Sequence, residues 1–179
     1  CLITKGTDLS AGRAVGLAAC LSAMMLQSMD YSARMLPWMP DIPWPVALLI
    51  VMFIMGCFGA VNGVVISILK VPPFIATLGM QTIIYGLCSL ITNNQPMGGY
   101  KQSYLSIANG SIGPIPYLMI FAVIIGGYFL FLYNKTRHGK YMYAIGGNEN
   151  AAQVAGVNVE ASLIRIYVLA GCMYALAGF

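Results

Sequence analysis

This chain carries five Asp and Glu, nine Lys and Arg and one His, so the few polar residues set among its apolar runs carry most of the chemical argument. The segment TKGTDLSAGR, residues 4–13, is the densest of them. Asp8 or Ser10 could accept the free amides of a helix starting just after them, and Arg13 lies close enough in sequence to neutralise Asp8. Asn62, Thr77 and Gln81 stand alone within apolar surroundings. Neutral groups of this kind hydrogen-bond either the hydroxyls of a polar solute or a neighbouring helix, and the second use is the more frequent. His138 sits among cations with no Cys or acidic partner near it, which suits a solvated loop residue. The cysteines, Cys1, Cys20, Cys57, Cys88 and Cys172, form no CxxC pair, and four of them lie inside apolar runs, where a thiol behaves as a small hydrophobe. Nothing has the pattern of a nucleophile with its base, a metal site or a phosphate-binding loop, so ATP hydrolysis by this chain is not expected.

A second polar stretch follows the basic cluster NKTRHGKYMY. Asn148 can cap a short helix starting at Glu149, and Gly156 can end it in the left-handed conformation. The result is a two-turn helix over 149–155, a handle through which force could tilt the longer elements on either side. An amphipathic surface loop fits the same periodicity.

The elements that must position these residues follow from composition. Apolar residues make up 59% of the chain and charged residues 8%, against about 25% charged in an ordinary soluble domain. Water cannot be the main solvent of such a surface. In a bilayer the backbone must satisfy itself, as a helix of ~20 apolar residues or a strand of a closed barrel. The apolar runs are unbroken and helix-sized, and the short alternating segments of a barrel are absent. The expected fold is therefore all-α, a polytopic transmembrane bundle of four spans at 14–29, 46–69, 74–91 and 117–133, plus a fifth at 166–179 that stops short. The first is also slightly short and is expected to borrow residues 8–13. Read this way, residues 1–179 are one partial membrane domain, cut at both ends. Because Leu2 and Ile3 read as the end of an earlier apolar run, residues 5–13 would interrupt a spanning helix, and a polar path can form where freed backbone groups meet a cavity. A plain interfacial loop with snorkelling charges is the other reading.

Connections 30–45 and 92–116 hold only Arg34 and Lys101 as cations, whereas the opposite side carries Lys70, Lys135, Arg137, Lys140 and Arg165. The positive-inside rule places that second side, with segment 135–165, in the cytoplasm. The net charge of +4 gives no continuous basic face, so nucleic acid is not an expected partner. Trp38 and Trp44 suit an outer interfacial anchor, or are ordinary loop aromatics. Gly59 with Gly63, and Gly171 with Ala175, have the small-xxx-small spacing that lets helices approach closely, within one subunit or at a seam between two copies.

These readings become specific by resemblance. The run from Asn150 through Ala151, Ala152, Gln153, Val154 and Ala155 to Gly156 resembles the EAA-x-x-x-G loop by which permease subunits of ATP-binding-cassette importers grip their ATPases. Its context, GKYMYAIGGNENAAQVAGVNV, is similar to the ribose, xylose and galactose branch, as are VPPFIATLG at 71–79 and TKGTDLSAGR at 4–13. With GLAA at 16–19 and LQSMD at 26–30, the pattern is most similar to permeases of the galactose and methyl-galactoside type. The family's motif opens with Glu, whereas here Asn150 holds that place and Glu149 precedes it. That offset rotates the carboxylate by ~100° about the helix, so the family's ion pair to the ATPase does not carry over directly.

The resemblance implies a subunit of the bacterial inner membrane, used in two copies, with ATP and Mg held by a separate cytoplasmic ATPase. It also implies a periplasmic sugar-binding protein that delivers a monosaccharide. ATPase coupling is expected at Asn148, Glu149, Asn150, Ala151, Ala152 and Gly156, and the substrate path at Asp8, Ser10, Asn62, Thr77 and Gln81. The rivals are an ion-coupled secondary transporter and an intramembrane enzyme. The first usually needs acidic residues within its spans and the second a paired His, Ser or acidic constellation at membrane depth; neither is visible.

Overall fold

The computed structural model describes residues 1–179. After a 3-10 turn at Leu2–Thr4 the chain forms α1 (Ala11–Met25), α2 (Trp44–Ser67), α3 (Pro73–Thr92) and a short α4 (Gln102–Asn109). A small hairpin, β1 (Ser111–Ile112) against antiparallel β2 (Ile115–Pro116), leads into α5 (Tyr117–Lys135). Next come α6 (Arg137–Gly147), α7 (Glu149–Val154) and α8 (Val159–Gly178). The all-helical polytopic architecture is thus present, with α2, α3, α5 and α8 long and apolar enough to cross a bilayer. Proline sits within the first two positions of α2 and α3, where its missing amide would have had no helical partner.

The boundaries differ instructively from those read in the sequence. The first helix starts at Ala11 and leaves helical geometry at Leu26, short of the expected 29. The cause is Gln27, whose side-chain amide donates to the Gly98 carbonyl at 3.1 Å and whose Oε1 accepts from the Met35 amide at 2.9 Å. This buried residue ties two outer connections together, so the chain must turn there. The last helix starts at Val159 rather than 166 and is a full 20 residues. Asn158 caps it by accepting from the Ala161 amide at 2.9 Å, and Glu160 in the first turn complements the helix dipole. Glu160 and Arg165 interrupt the uncharged run, yet both sit exposed at the helix's polar end. Helices α4 and α6 had not been expected, because neither is apolar.

The bundle closes on the α2–α8 seam. Gly171 faces the backbone of Met55 and Gly56, while Gly59 and Gly63 face the backbone of Tyr167 and Ile164. A β-carbon added at Gly63 would lie 2.7 Å from the Ile164 Cα. Both small-residue motifs are therefore consumed by packing within one subunit. Helix α1 lays Ala14, Leu17 and Ala18 against the same core as Val51, Met55, Ile84 and Ala175. By contrast α5 buries only Leu132.

Side-chain contacts sort the connections into two ends. Lys70 and Glu160 pair at 3.8 Å, and Lys5 Nζ donates to the Gly147 carbonyl at 3.4 Å. At the opposite end Lys101 pairs with Asp41 and donates to the Ile42 carbonyl at 3.0 Å, and the Tyr104 hydroxyl donates to the Phe179 carbonyl. The first end collects the cations of 135–165 together with Lys5 and Lys70; the second holds Arg34 and Lys101.

Candidate functional site

Of the stretch 5–13 expected to interrupt a helix, residues 5–10 lie outside regular helix and 11–13 already belong to α1. Lys5 adopts a left-handed φ of 58° that ends the Leu2–Thr4 turn, and regular helix resumes only at Ala11. The break is tied down by a polar knot. Asp8 Oδ1 accepts from the Ser10 amide at 3.0 Å and from the Ser10 hydroxyl at 2.6 Å, and Asp8 Oδ2 accepts from the Tyr174 hydroxyl of α8 at 2.8 Å. Asn62 of α2 donates to Ser10 Oγ at 3.3 Å. Thr77 of α3 accepts from the Leu9 amide at 3.2 Å and donates to the Pro73 carbonyl at 2.8 Å. Each bond fills a backbone or side-chain valence that an interrupted helix would otherwise leave bare in an apolar setting.

The knot unites Asp8, Ser10, Asn62 and Thr77 of the expected path, but not every part of the reading survives. Gln81, half-buried on α3, makes no hydrogen bond in the knot. Arg13 does not neutralise Asp8; its guanidinium lies over the Tyr85 ring, 4.5 Å from the centroid. The helix restart explains this, because Arg13 already belongs to α1 and lies against Tyr85 of α3, whereas Asp8 precedes the helix. Ser10 occupies the capping position without a side-chain cap bond, its hydroxyl being given to Asp8. The space within the knot is only about 10 Å³, near the minimum one water needs, so the site is closed.

Two residues of the site escaped sequence reading. Tyr174 holds Asp8, and Tyr167, 2% exposed, has a buried hydroxyl with no partner. The signal was available: Tyr167, Gly171 and Tyr174 fall at i, i+4 and i+7, one face of a helix. Tyr167 separates the knot from a second cavity of about 210 Å³, whose wall includes Thr4, Gly6, Lys70, Pro73 and Glu149. A β-carbon on Gly6 would come 2.9 Å from the Tyr167 hydroxyl, so only glycine fits there without displacing it.

The short helix α7 forms the other candidate element. Asn148 caps it by accepting from the Ala151 amide at 3.1 Å, and Gly156 ends it with a φ of +86°. Such a cap contributes ~1 kcal/mol, a useful share for a helix of six residues. Glu149, Asn150, Ala151 and Gln153 are exposed, and Val154 is 89% exposed. Ala152 is different. It is 4% exposed and packs with Ile145 of α6 and Val159 of α8, so it anchors the helix and does not offer its backbone to a groove. Both alanines were expected to serve coupling alike, because which face of α7 turns inward depends on α6 and α8.

Beside α7, α6 bears directly on the break. Gly146 leaves room for the Ile3 carbonyl, which any side chain would displace. Thr136 caps α6 by accepting from the Gly139 amide at 3.2 Å. Burial and the nearby Arg165 guanidinium hold His138 below its ordinary value of 6.5, which favours the neutral ring at neutral pH. The cysteines are not all isolated: Cys20 and Cys88 bring their sulfurs to 3.1 Å across α1 and α3.

A bundle with four helices long and apolar enough to cross a bilayer, a polar knot at the start of α1 and a short capped helix at the cation-rich end defines a polytopic membrane protein. The chain belongs to the family described as branched-chain amino acid transport system / permease component, whose pattern matches residues 1–179. It is 48% identical to the galactose/methyl galactoside import permease protein MglC of Haemophilus influenzae, over 99% of this chain and 55% of that protein. The MglC of Escherichia coli is 42% identical with the same coverage, and the D-allose transport system permease protein AlsC of that organism is 28% identical over 99% of this chain and 51% of its own. The chain thus spans about half the length of the curated relatives it matches. No solved structure matches it. It is a multi-pass protein of the bacterial inner membrane.

Proposed function

We propose that this chain is part of the membrane subunit of an ATP-driven importer for a monosaccharide of the galactose or methyl-galactoside type. Two copies of the complete subunit enclose the path, a periplasmic sugar-binding protein delivers the sugar, and a separate cytoplasmic ATPase holds ATP and Mg. Near-half identity to an import permease over 99% of the chain supports the substrate class. The placement of α7 carries the coupling reading.

That helix stands at the cation-rich end, capped at both termini, with Glu149, Asn150, Ala151, Gln153 and Val154 turned outward and Ala152 rooted in the chain. Two rigid connections lead from it to Asp8. One is α8, which follows α7 and carries Tyr174; the other is α6, which precedes α7 and packs on Ile3 while Gly147 accepts from Lys5. Displacing α7 as the ATPase closes therefore moves both walls of the break, and the path opens to one face or the other.

The test is uptake of labelled galactose, ribose and xylose by the full-length permease reconstituted with its ATPase and binding protein. Galactose uptake that requires ATP is expected. ATP-independent uptake driven by a proton or sodium gradient would replace this reading with ion-coupled transport.

A further inference from the structure

The knot around Asp8 is closed, yet the opposite face of α1 opens onto a groove of about 170 Å³ against α3. Its lining is unlike the uncovered face of α5. Arg13 and Tyr85 stand at its centre, Ser89, Thr92 and Asn94 at its outer end, and nothing lies within 4 Å of where side chains on Gly12 and Gly16 would begin. The uncovered face of α5 shows instead Leu118, Phe121, Val123, Ile124, Leu130 and Phe131, which suits lipid. We propose that this groove contacts a polyhydroxylated solute, a monosaccharide, during its passage across the bilayer. The inference rests on the chain being part of a sugar permease, and it names where that sugar touches it.

Depth is the first argument. Tyr85 lies twelve residues beyond Pro73, about 18 Å along α3 at ~1.5 Å per residue, so the guanidinium over its ring sits well inside the hydrocarbon layer. An arginine there is tolerated when it faces water, protein or a path, and costly when it faces lipid. No carboxylate pairs with it: the ion pairs of the chain join Lys70 to Glu160 and Lys101 to Asp41. The Tyr85 ring holds the guanidinium carbon 4.5 Å from its centroid without taking up any of its N–H donors. Vicinal sugar hydroxyls can accept from that rigid fork.

The second argument is the outer lining. Ser89 Oγ donates to Asn94 Oδ1 at 2.7 Å, which fixes the Asn94 amide and leaves its two N–H donors for a ligand. The groove exceeds by about tenfold the ~10–15 Å³ that one water needs, so it can admit a ring-sized solute. One cation and a few neutral groups bind a neutral sugar weakly, which suits a site that must release it.

The test uses the full-length permease with its ATPase and binding protein in proteoliposomes. Arg13→Lys keeps the charge but loses the planar fork, and is expected to lower galactose uptake at least tenfold while ATPase capture stays normal. In a background lacking the native thiols, Ser89→Cys is expected to react with a charged, membrane-impermeant thiosulfonate, and millimolar galactose to slow that reaction at least threefold. Reaction only with a lipid-soluble maleimide would show a lipid-facing groove and overturn the proposal. So would unprotected labelling together with unmodified uptake by Arg13→Lys. If the unmodified complex takes up no monosaccharide, the permease reading itself falls and this site falls with it; normal uptake with either negative result removes this site alone.

Discussion

Replacing Gly63 with alanine tests the seam on which the whole bundle depends. The added carbon would sit 2.7 Å from the Ile164 Cα, 3.3 Å from the Ile164 carbonyl oxygen and 3.4 Å from its Cβ, where non-bonded carbons prefer ~3.5–4.0 Å. The nearest obstacles are backbone, so no rotamer change relieves them, and α2 and α8 must separate by close to 1 Å. Overpacking of this kind costs ~1–3 kcal/mol, against which alanine returns ~0.5–1 kcal/mol of helix propensity. The net expectation is a loss of roughly 1–2 kcal/mol. Gly127→Ala on α5, with nothing within 4 Å, has only the propensity gain and is the matched control. Thermal unfolding of the detergent-solubilised full-length permease, followed by fluorescence-detected gel filtration, should rank Gly63→Ala below the unmodified protein and Gly127→Ala at or above it. A Gly63→Ala protein that melts normally yet loses its association between copies would refute the intrasubunit seam and restore the motif to a dimer interface.

The divided roles of the two alanines give another test. Ala152→Asp places a carboxylate in the small cluster with Ile145 and Val159, and an unpaired buried charge costs more than α7 can hold, so proteolytic cleavage within 148–157 should rise sharply. Ala151→Asp, on the exposed face, should leave proteolysis unchanged while weakening ATPase capture; equal protease sensitivity of the two variants would contradict the assigned faces. Mild oxidation should cross-link α1 to α3 through Cys20 and Cys88, whose sulfurs lie 3.1 Å apart, and mass analysis of the linked peptides would reveal it. Absence of that link under conditions that oxidise exposed Cys57 would show the two helices to be further apart.

How much of this was legible in the sequence depends on whether a feature is local. The cap at Asn148, the left-handed Gly156 and the small-residue spacings are set by residues a few positions apart, and each took the form its neighbours dictate. The non-helical stretch at 5–10 falls inside the polar, glycine-containing interval 5–13 for the same local reason, although residues 11–13 already belong to α1. What stayed hidden was long-range. Arg13 lies close enough in sequence to neutralise Asp8, but the fold pairs Asp8 with Ser10 and, 166 residues away, Tyr174. Arg13 then had no carboxylate to satisfy and settled on Tyr85. The same blindness explains Gln27, whose two bonds reach 71 and 8 residues away and end α1 early, and Ala152, whose inward face depends on α6 and α8 closing over it. In each case local chemistry identified a group that needed a partner, and only the packing of the helices decided which partner it met. The misplacement of Arg13 is therefore informative, because a cation released from the knot is what leaves the groove between α1 and α3 polar.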